Sequence, residues 1–169
     1  MISNKMEQMI SEQYHRELFS MHQYYAICSY FLDIELDGFA NFFKVQAEEE
    51  LDHAMRQFNF LHDMDGKITS GPLDGPTNDF PSIREAFEKA LEHERFITKH
   101  IHLIVKAAME EADFATYEFF QWFVREQVEE EATMRNLIAK LDMIGESKSA
   151  LYMMNDELLQ RQSGEEGEA

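Results

Sequence analysis

Glu50 and His53 stand three residues apart in the run Glu48-Glu49-Glu50-Leu51-Asp52-His53, and Gln127 and Glu130 repeat that spacing later in the chain. Side chains three apart share one face of a helix, so each pair aims two donors at one point. Glu17 and Glu94 are single acids set among apolar neighbours. Glu17 follows Tyr14 and precedes Met21, and Glu94 lies between Ala90 and Ile97. Glu50 falls between Ala47 and Ala54, while Gln127 and Glu130 interrupt Phe120, Phe123 and Met134. One such Glu is ordinarily a helix-edge residue that reaches water. On four separate helical stripes, none of which carries Lys or Arg, the same explanation fails. Ionised carboxylates stay buried only when paired or bound to metal, and four converging without counter-cations would repel strongly at low dielectric. Two divalent cations balance Glu17, Glu50, Glu94 and Glu130. Carboxylates with one imidazole are hard donors suited to Fe(II) or Mn(II). Glu50 is the natural bridge, because His53 can take one of the two ions, and a carboxylate-bridged pair of irons suits dioxygen chemistry.

Around this set lie further acids. Glu126 and Glu129 share a face, and Glu49 adjoins Glu50, so these three form a candidate third, weaker cation site. Glu48, Asp52 and Glu131 read as a solvated face. Tyr24 shares the face of Glu17, where it would hydrogen-bond a ligand, donate an electron or simply pack. Glu12-x-x-His15 copies the Glu50-x-x-His53 spacing without a matching cluster and reads as surface. His22, His62, His93, His100 and His102 show no convergence, and Trp122 reads as packing.

Helices must position these groups. All three prolines and three of the seven glycines fall within residues 66–81. The rest of the chain is rich in Glu, Ala, Met, Leu, Gln and Phe, with apolar residues three and four apart, and the fold class is all-α. A first helix is predicted from about Asn4 to Phe31, with Ile10, Tyr14, Leu18, Met21, Tyr25 and Cys28 on its apolar stripe. After a turn at Leu32–Gly38, a second runs to about Met64, with Phe39, Phe43, Ala47, Ala54, Phe58 and Leu61 inward. A third starts after Pro81, where Ser82 and Glu85 form a capping box, and runs to about Glu110 through Phe87, Ala90, Ile97, Ile101 and Val105. Asp113 N-caps a fourth, ending at Gly145, with Phe120, Phe123, Met134, Leu137 and Leu141 on its stripe. A short fifth helix covers about Ser147 to Gln160. The segment of about fifteen residues between the second and third helices can extend to about 50 Å. Helices of about 27 residues are about 40 Å long. The linker therefore spans the bundle's height and makes those two helices parallel, a ferritin-like four-helix bundle with one crossover. The other reading of the linker is a disordered insertion.

Thirty-three acidic against fifteen basic residues give a net charge of −18, which disfavours nucleic acid and anionic membrane and favours cations. A single cysteine, Cys28, excludes an internal disulfide or a cysteine-rich metal cluster. The amino-terminal segment reads as helix and not as a signal peptide, and no apolar run is long enough for a membrane span. A cytoplasmic setting is expected. One domain is expected over residues 1–162, with a disordered acidic tail at 163–169.

Together, Glu17 with Tyr24, the run Glu48 to His53, Glu94, and Gln121 to Glu131 resemble the bacterial non-haem ferritins over nearly the whole chain. The resemblance implies a ferroxidase that binds Fe(II) at Glu17, Glu50 and His53 for one iron and at Glu50, Glu94 and Glu130 for the other. It implies oxidation by dioxygen and storage of ferric mineral in a hollow homo-oligomer of twenty-four subunits. Glu49, Glu126 and Glu129 match the family's third site, and the fifth helix matches the element around the shell's fourfold axes. The ferritin-like pattern has two Glu-x-x-His motifs, whereas this chain has one and reads Gln127-x-x-Glu130 in the second place. Gln127 would coordinate weakly or through water, leaving the second iron loosely held. Bacterioferritins place a haem-ligating Met where this chain has Leu51, so no haem is expected. The alternative is a di-iron oxidase or oxygenase acting on an organic substrate.

Overall fold

The computed structural model describes residues 2–162, which form five helices and no strand: α1 (Asn4–Asp33), α2 (Asp37–Asp63), α3 (Ile83–Glu110), α4 (Phe114–Ile144) and α5 (Lys148–Leu159). The acidic tail expected at 163–169 lies outside the described residues. Four helices start on side-chain caps. Ser3, Ser82, Asp113 and Ser147 accept the backbone N–H of Met6, Glu85, Thr116 and Ala150, satisfying donors that no helical carbonyl can reach. The Ser82 and Asp113 caps are those predicted from the sequence.

Helix ends were harder to foresee. Glu35, Asp65 and Ala112 close α1, α2 and α3 in the left-handed region, with φ of 61°, 58° and 55°. The following residues then return their N–H groups to Phe31, Leu61 and Ala108 carbonyls. Glycine usually fills this position, so the α3–α4 break at Ala112 carries no punctuation in the sequence. Gly145, with φ 54°, ends α4 as predicted.

α1 packs on α2 and α3 on α4, and α1 also meets α3. The segment between α2 and α3 is an ordered crossover, not a loose insertion. It climbs α1 along a row spaced by multiples of four residues. Glu7 Oε2 accepts Lys67 N (3.3 Å), Ser11 Oγ accepts Thr69 N (3.0 Å), and His15 Nε2 accepts Gly71 N (3.0 Å). Gln23 exchanges two 2.8 Å bonds with the Thr77 backbone. Because the loop ascends α1 in α1's own direction, α3 begins at the end where α2 began, and the two are parallel. His15, read as surface from the sequence, is half-buried and ties this loop down.

α5 lies against the start of α2. Asn155 Oδ1 accepts Gly38 N and Phe39 N at 2.9 and 3.3 Å, and Asn41 Nδ2 donates to the Leu158, Leu159 and Arg161 carbonyls. Each asparagine caps the other's helix. A Cβ on Gly38 would sit 1.6 Å from the Asn155 carbonyl oxygen, so this glycine is set by helix contact and not by the turn before it.

Two apolar clusters fill the bundle. One holds Phe31, Phe39, Phe43, Phe87, Met134 and Met154; the other holds Met6, Ile10, Leu61, Ile101, Phe120 and Phe123. The predicted stripe of α1 needs correction. Tyr25 is exposed, and the buried row runs through Ile10, Gln13, Glu17, Tyr24, Ile27 and Phe31. On α3 the buried residue is Ile104, with Val105 at the margin. Both slips are one position, about 100° around a helix.

Candidate metal centre

Between the two apolar clusters each of the four long helices contributes buried polar groups. α1 supplies Glu17, α2 supplies Glu50 and His53, α3 supplies Glu94, and α4 supplies Gln127 and Glu130; all are 5% exposed or less. Sequence spacing thus places every one of them inside.

Glu17, Glu50 and His53 each offer one ligand atom, and these atoms lie within 4.8 Å of one another. His53 Nδ1 is 3.6 Å from Glu50 Oε2. Oε2 of Glu17 and Oε2 of Glu50 are buried without a hydrogen-bond partner. Bare carboxylate oxygens in an apolar bundle are costly, and a cation among them removes that cost. Across the centre, the Tyr24 hydroxyl donates to Glu94 Oε1. Gln127 Nε2 donates to Glu94 Oε2 at 2.9 Å, and Gln46 Nε2 to Glu130 Oε2 at 2.7 Å. Gln127 therefore meets Glu94 through its amide nitrogen.

Burial sets the electrostatics. It raises the Glu17 pKa, against the hydrogen bonds from Gln13 and Gln57. It holds Glu50 well above the usual carboxylate range, helped by the charges of Glu94, Glu17 and Glu130. Glu94 rises to about 7 through burial, opposed by its bonds from Tyr24 and Gln127. Burial and then the Glu94 charge push the Tyr24 phenol further up. Burial, with Arg56 nearby, lowers His53 to about 4. At neutral pH His53 is thus the neutral imidazole that a metal requires, while protons on the carboxyls stand in for missing cations.

The third acidic group is assembled differently. Glu49 Oε2 pairs with Arg161 Nη2 at 3.1 Å, and the Arg161 guanidinium covers the Phe42 ring at 4.4 Å. Glu126 is half-buried and Glu129 exposed. Arg161 escaped the sequence reading because it follows α5, far along the chain from Glu49. Also missed were Gln13, Gln46 and Gln57, all 0% exposed. Their signal was available: Gln13 and Gln46 sit one turn before Glu17 and Glu50, and Gln57 one turn after His53. Trp122 packs edge-on to His53, with ring centroids 5.3 Å apart, and carries Arg56 over its face. His93 is half-buried and bonds Ser20 Oγ at 2.7 Å, outside the carboxylate set.

Comparison with known proteins points one way. A family model described as a ferritin-like domain matches residues 7–144. The bacterial non-heme ferritin of Campylobacter jejuni is 35% identical over 153 residues, covering 90% of this chain and 92% of that protein. The bacterial non-heme ferritin of Staphylococcus aureus is also 35% identical, over 98% of this chain and all of the relative. Among solved structures, an open-pore ferritin from the archaeon Archaeoglobus fulgidus superposes with a TM-score of 0.94 at 44% identity, over 96% of this chain and 100% of that one.

Proposed function

This chain belongs to the ferritin family, and on that premise we propose that its buried carboxylate centre is a ferroxidase. Iron storage is its function. In this reading Glu17, Glu50 and His53 hold one Fe(II), and Glu50, Glu94 and Glu130 hold the second. Each iron gives up one electron, dioxygen takes both and with two protons leaves as hydrogen peroxide, and the ferric product moves on to be mineralised. Iron is substrate and cargo here, and the protein supplies positions and matching charge. Gln127, bonded to Glu94, leaves the second ion with fewer anionic ligands, so it is held more loosely. Glu49, Glu126 and Glu129 offer a third position on the way out. Tyr24 holds Glu94 through its hydroxyl. The assembly is a homo-oligomer, proposed as a shell of twenty-four with no haem, working in the cytoplasm. No described helix is long and apolar enough to cross a membrane. Residues 1–162 act as one ferritin-like domain.

The observation that carries this reading is the pair of bare, buried oxygens on Glu17 and Glu50 beside a neutral His53. An organic substrate would need an apolar cavity beside those oxygens. Two cavities of about 630 and 640 Å³ are lined by none of Glu17, Glu50, His53, Glu94 or Glu130. Fe(II) added in air should develop amber ferric absorbance faster with the protein than in buffer. The Glu50→Ala, Glu130→Ala double variant should lose that advantage, and an unchanged rate would remove the proposed centre. Size exclusion should give a particle of roughly half a megadalton, and a monomer or dimer would remove the shell.

A further inference from the structure

Three interior glutamines remain unexplained by ion binding. Gln13, Gln46 and Gln57 are completely buried, one on α1 and two on α2. Leu or Met would fill the same space without bringing an amide out of water. Each amide instead gives its N–H to a carboxylate of the centre. Gln13 Nε2 and Gln57 Nε2 both donate to Glu17 Oε1, at 2.9 and 2.8 Å, and Gln46 Nε2 donates to Glu130 Oε2 at 2.7 Å. The carbonyl oxygens of Gln46 and Gln57 have no hydrogen-bond partner. These amides therefore do not complete a polar network of their own. Their donors are spent on the acids, while the acceptors of Gln46 and Gln57 go unused and that of Gln13 meets Arg16 Nη1 at 3.5 Å.

Charge explains the choice of residue. Lys or Arg would donate as well, but each would place a positive charge beside the cation site and oppose metal entry. An amide orients a carboxylate without that repulsion. Two donors on Oε1 of Glu17 stop the carboxylate from rotating. The other oxygen, Oε2, is left bare, and Glu17 reaches within 4.8 Å of the donors on Glu50 and His53.

We propose that Gln13 and Gln57 are positioning residues that make Glu17 a one-oxygen ligand for the ion it shares with Glu50 and His53, and that Gln46 steadies Glu130 for the other ion. This rests on the two-ion assignment above. Neutral hydrogen-bond partners behind metal ligands typically contribute 10–100-fold in affinity or activity. The arrangement is therefore separable by side: the α1 and α2 amides at positions 13 and 57 serve the His53 ion, and the amide at position 46 serves the Glu130 ion.

Cobalt(II), which air does not readily oxidise, serves as the probe. Crystals of the assembled wild type and variants are soaked in graded CoCl2, and the occupancy of each ion is read from anomalous scattering. Gln13→Met with Gln57→Met should raise the Co(II) concentration that half-fills the His53-side ion by about 10–100-fold, with the Glu94–Glu130 ion unchanged. Gln46→Met should do the reverse. The metal-free variants should melt below the wild type, because Glu17 Oε1 or Glu130 Oε2 loses its amide donors inside the bundle, so the one-sided change in cobalt filling, and not stability, is the deciding readout. The Fe(II) concentration for half-maximal oxidation should rise in both variants. If the double variant fails to assemble, the single Gln13→Met and Gln57→Met proteins, each keeping one donor, should show the same one-sided loss at smaller size. Equal filling of the His53 side in variant and wild type, or equal weakening of both ions, would overturn the proposal. A wild type with no cobalt at either position would instead overturn the two-ion assignment, and the proposal with it.

Discussion

Replacing Glu94 by glutamine should stabilise the metal-free protein while abolishing one of its ions, and the gain should depend on pH. Glu94 is wholly buried and its pKa is raised from 4.5 to about 7, chiefly by burial. Below pH 4.5 it is protonated both folded and unfolded, and the substitution is neutral in this respect. Between those two values the unfolded chain has released the proton and the folded chain has kept it, so wild-type stability falls as pH rises. Above 7 the full cost of ionising Glu94 inside the bundle is present. At 1.36 kcal/mol per pKa unit that cost is about 1 kcal/mol at pH 5.5 and about 3 kcal/mol at pH 8.5. Glutamine is neutral throughout and keeps the bond from Tyr24, and the Gln127 amide can turn to offer its oxygen. Removing one charge also eases ionisation of Glu50, on which the Glu94 charge acts more strongly than those of Glu17 and Glu130. Chelator-treated wild type and Glu94→Gln are unfolded in denaturant at equal chain concentration, with the fluorescence of Trp122, the single tryptophan, as the readout. The variant's advantage should grow by about 2 kcal/mol between pH 5.5 and 8.5. An advantage equal at both pH values, or a wild type more stable at the higher pH, would refute the claim that burial of unneutralised carboxylates dominates this centre.

Cation binding should release protons. Glu94, with a pKa of about 7, is half protonated at neutrality, whereas His53, at about 4, is already neutral and contributes none. Anaerobic Co(II) added to weakly buffered protein should acidify it, and affinity should rise between pH 6 and 8; a pH-independent affinity would contradict this. Gly38→Ala drives a methyl group into the Asn155 carbonyl and should cost about 3 kcal/mol. Hydrogen exchange should show lost protection in α5 while α1, α3 and α4 keep theirs. Arg161→Ala removes the guanidinium paired with Glu49 and should strengthen a third metal equivalent per chain in titration, leaving the first two unaltered.

Much of the site was legible because helical periodicity is rigid. Once Glu17, Glu50, Glu94 and Glu130 fall on apolar stripes, their burial follows from geometry, and the structure places all four inside. Their role as ligands is the reading proposed here. The amide shell was less legible. Glutamine on a helix is usually solvated, and Gln57 meets Glu17 only because α1 and α2 lie side by side. Arg161 shows the limit more sharply, since Glu49 and Arg161 are joined by the way α5 folds back onto α2.

Residue order alone determined the helices, their caps at Ser82 and Asp113, and the faces on which the acids lie, because these depend on neighbours within one turn. The crossover's length also made parallel α2 and α3 a matter of reach. Tertiary structure decided which oxygen of Glu17 is held and which is bare, why position 38 must be glycine, and which cation answers Glu49. Those are contacts between residues distant in the chain, and they depend on the rotation and approach of whole helices, to which local periodicity is blind.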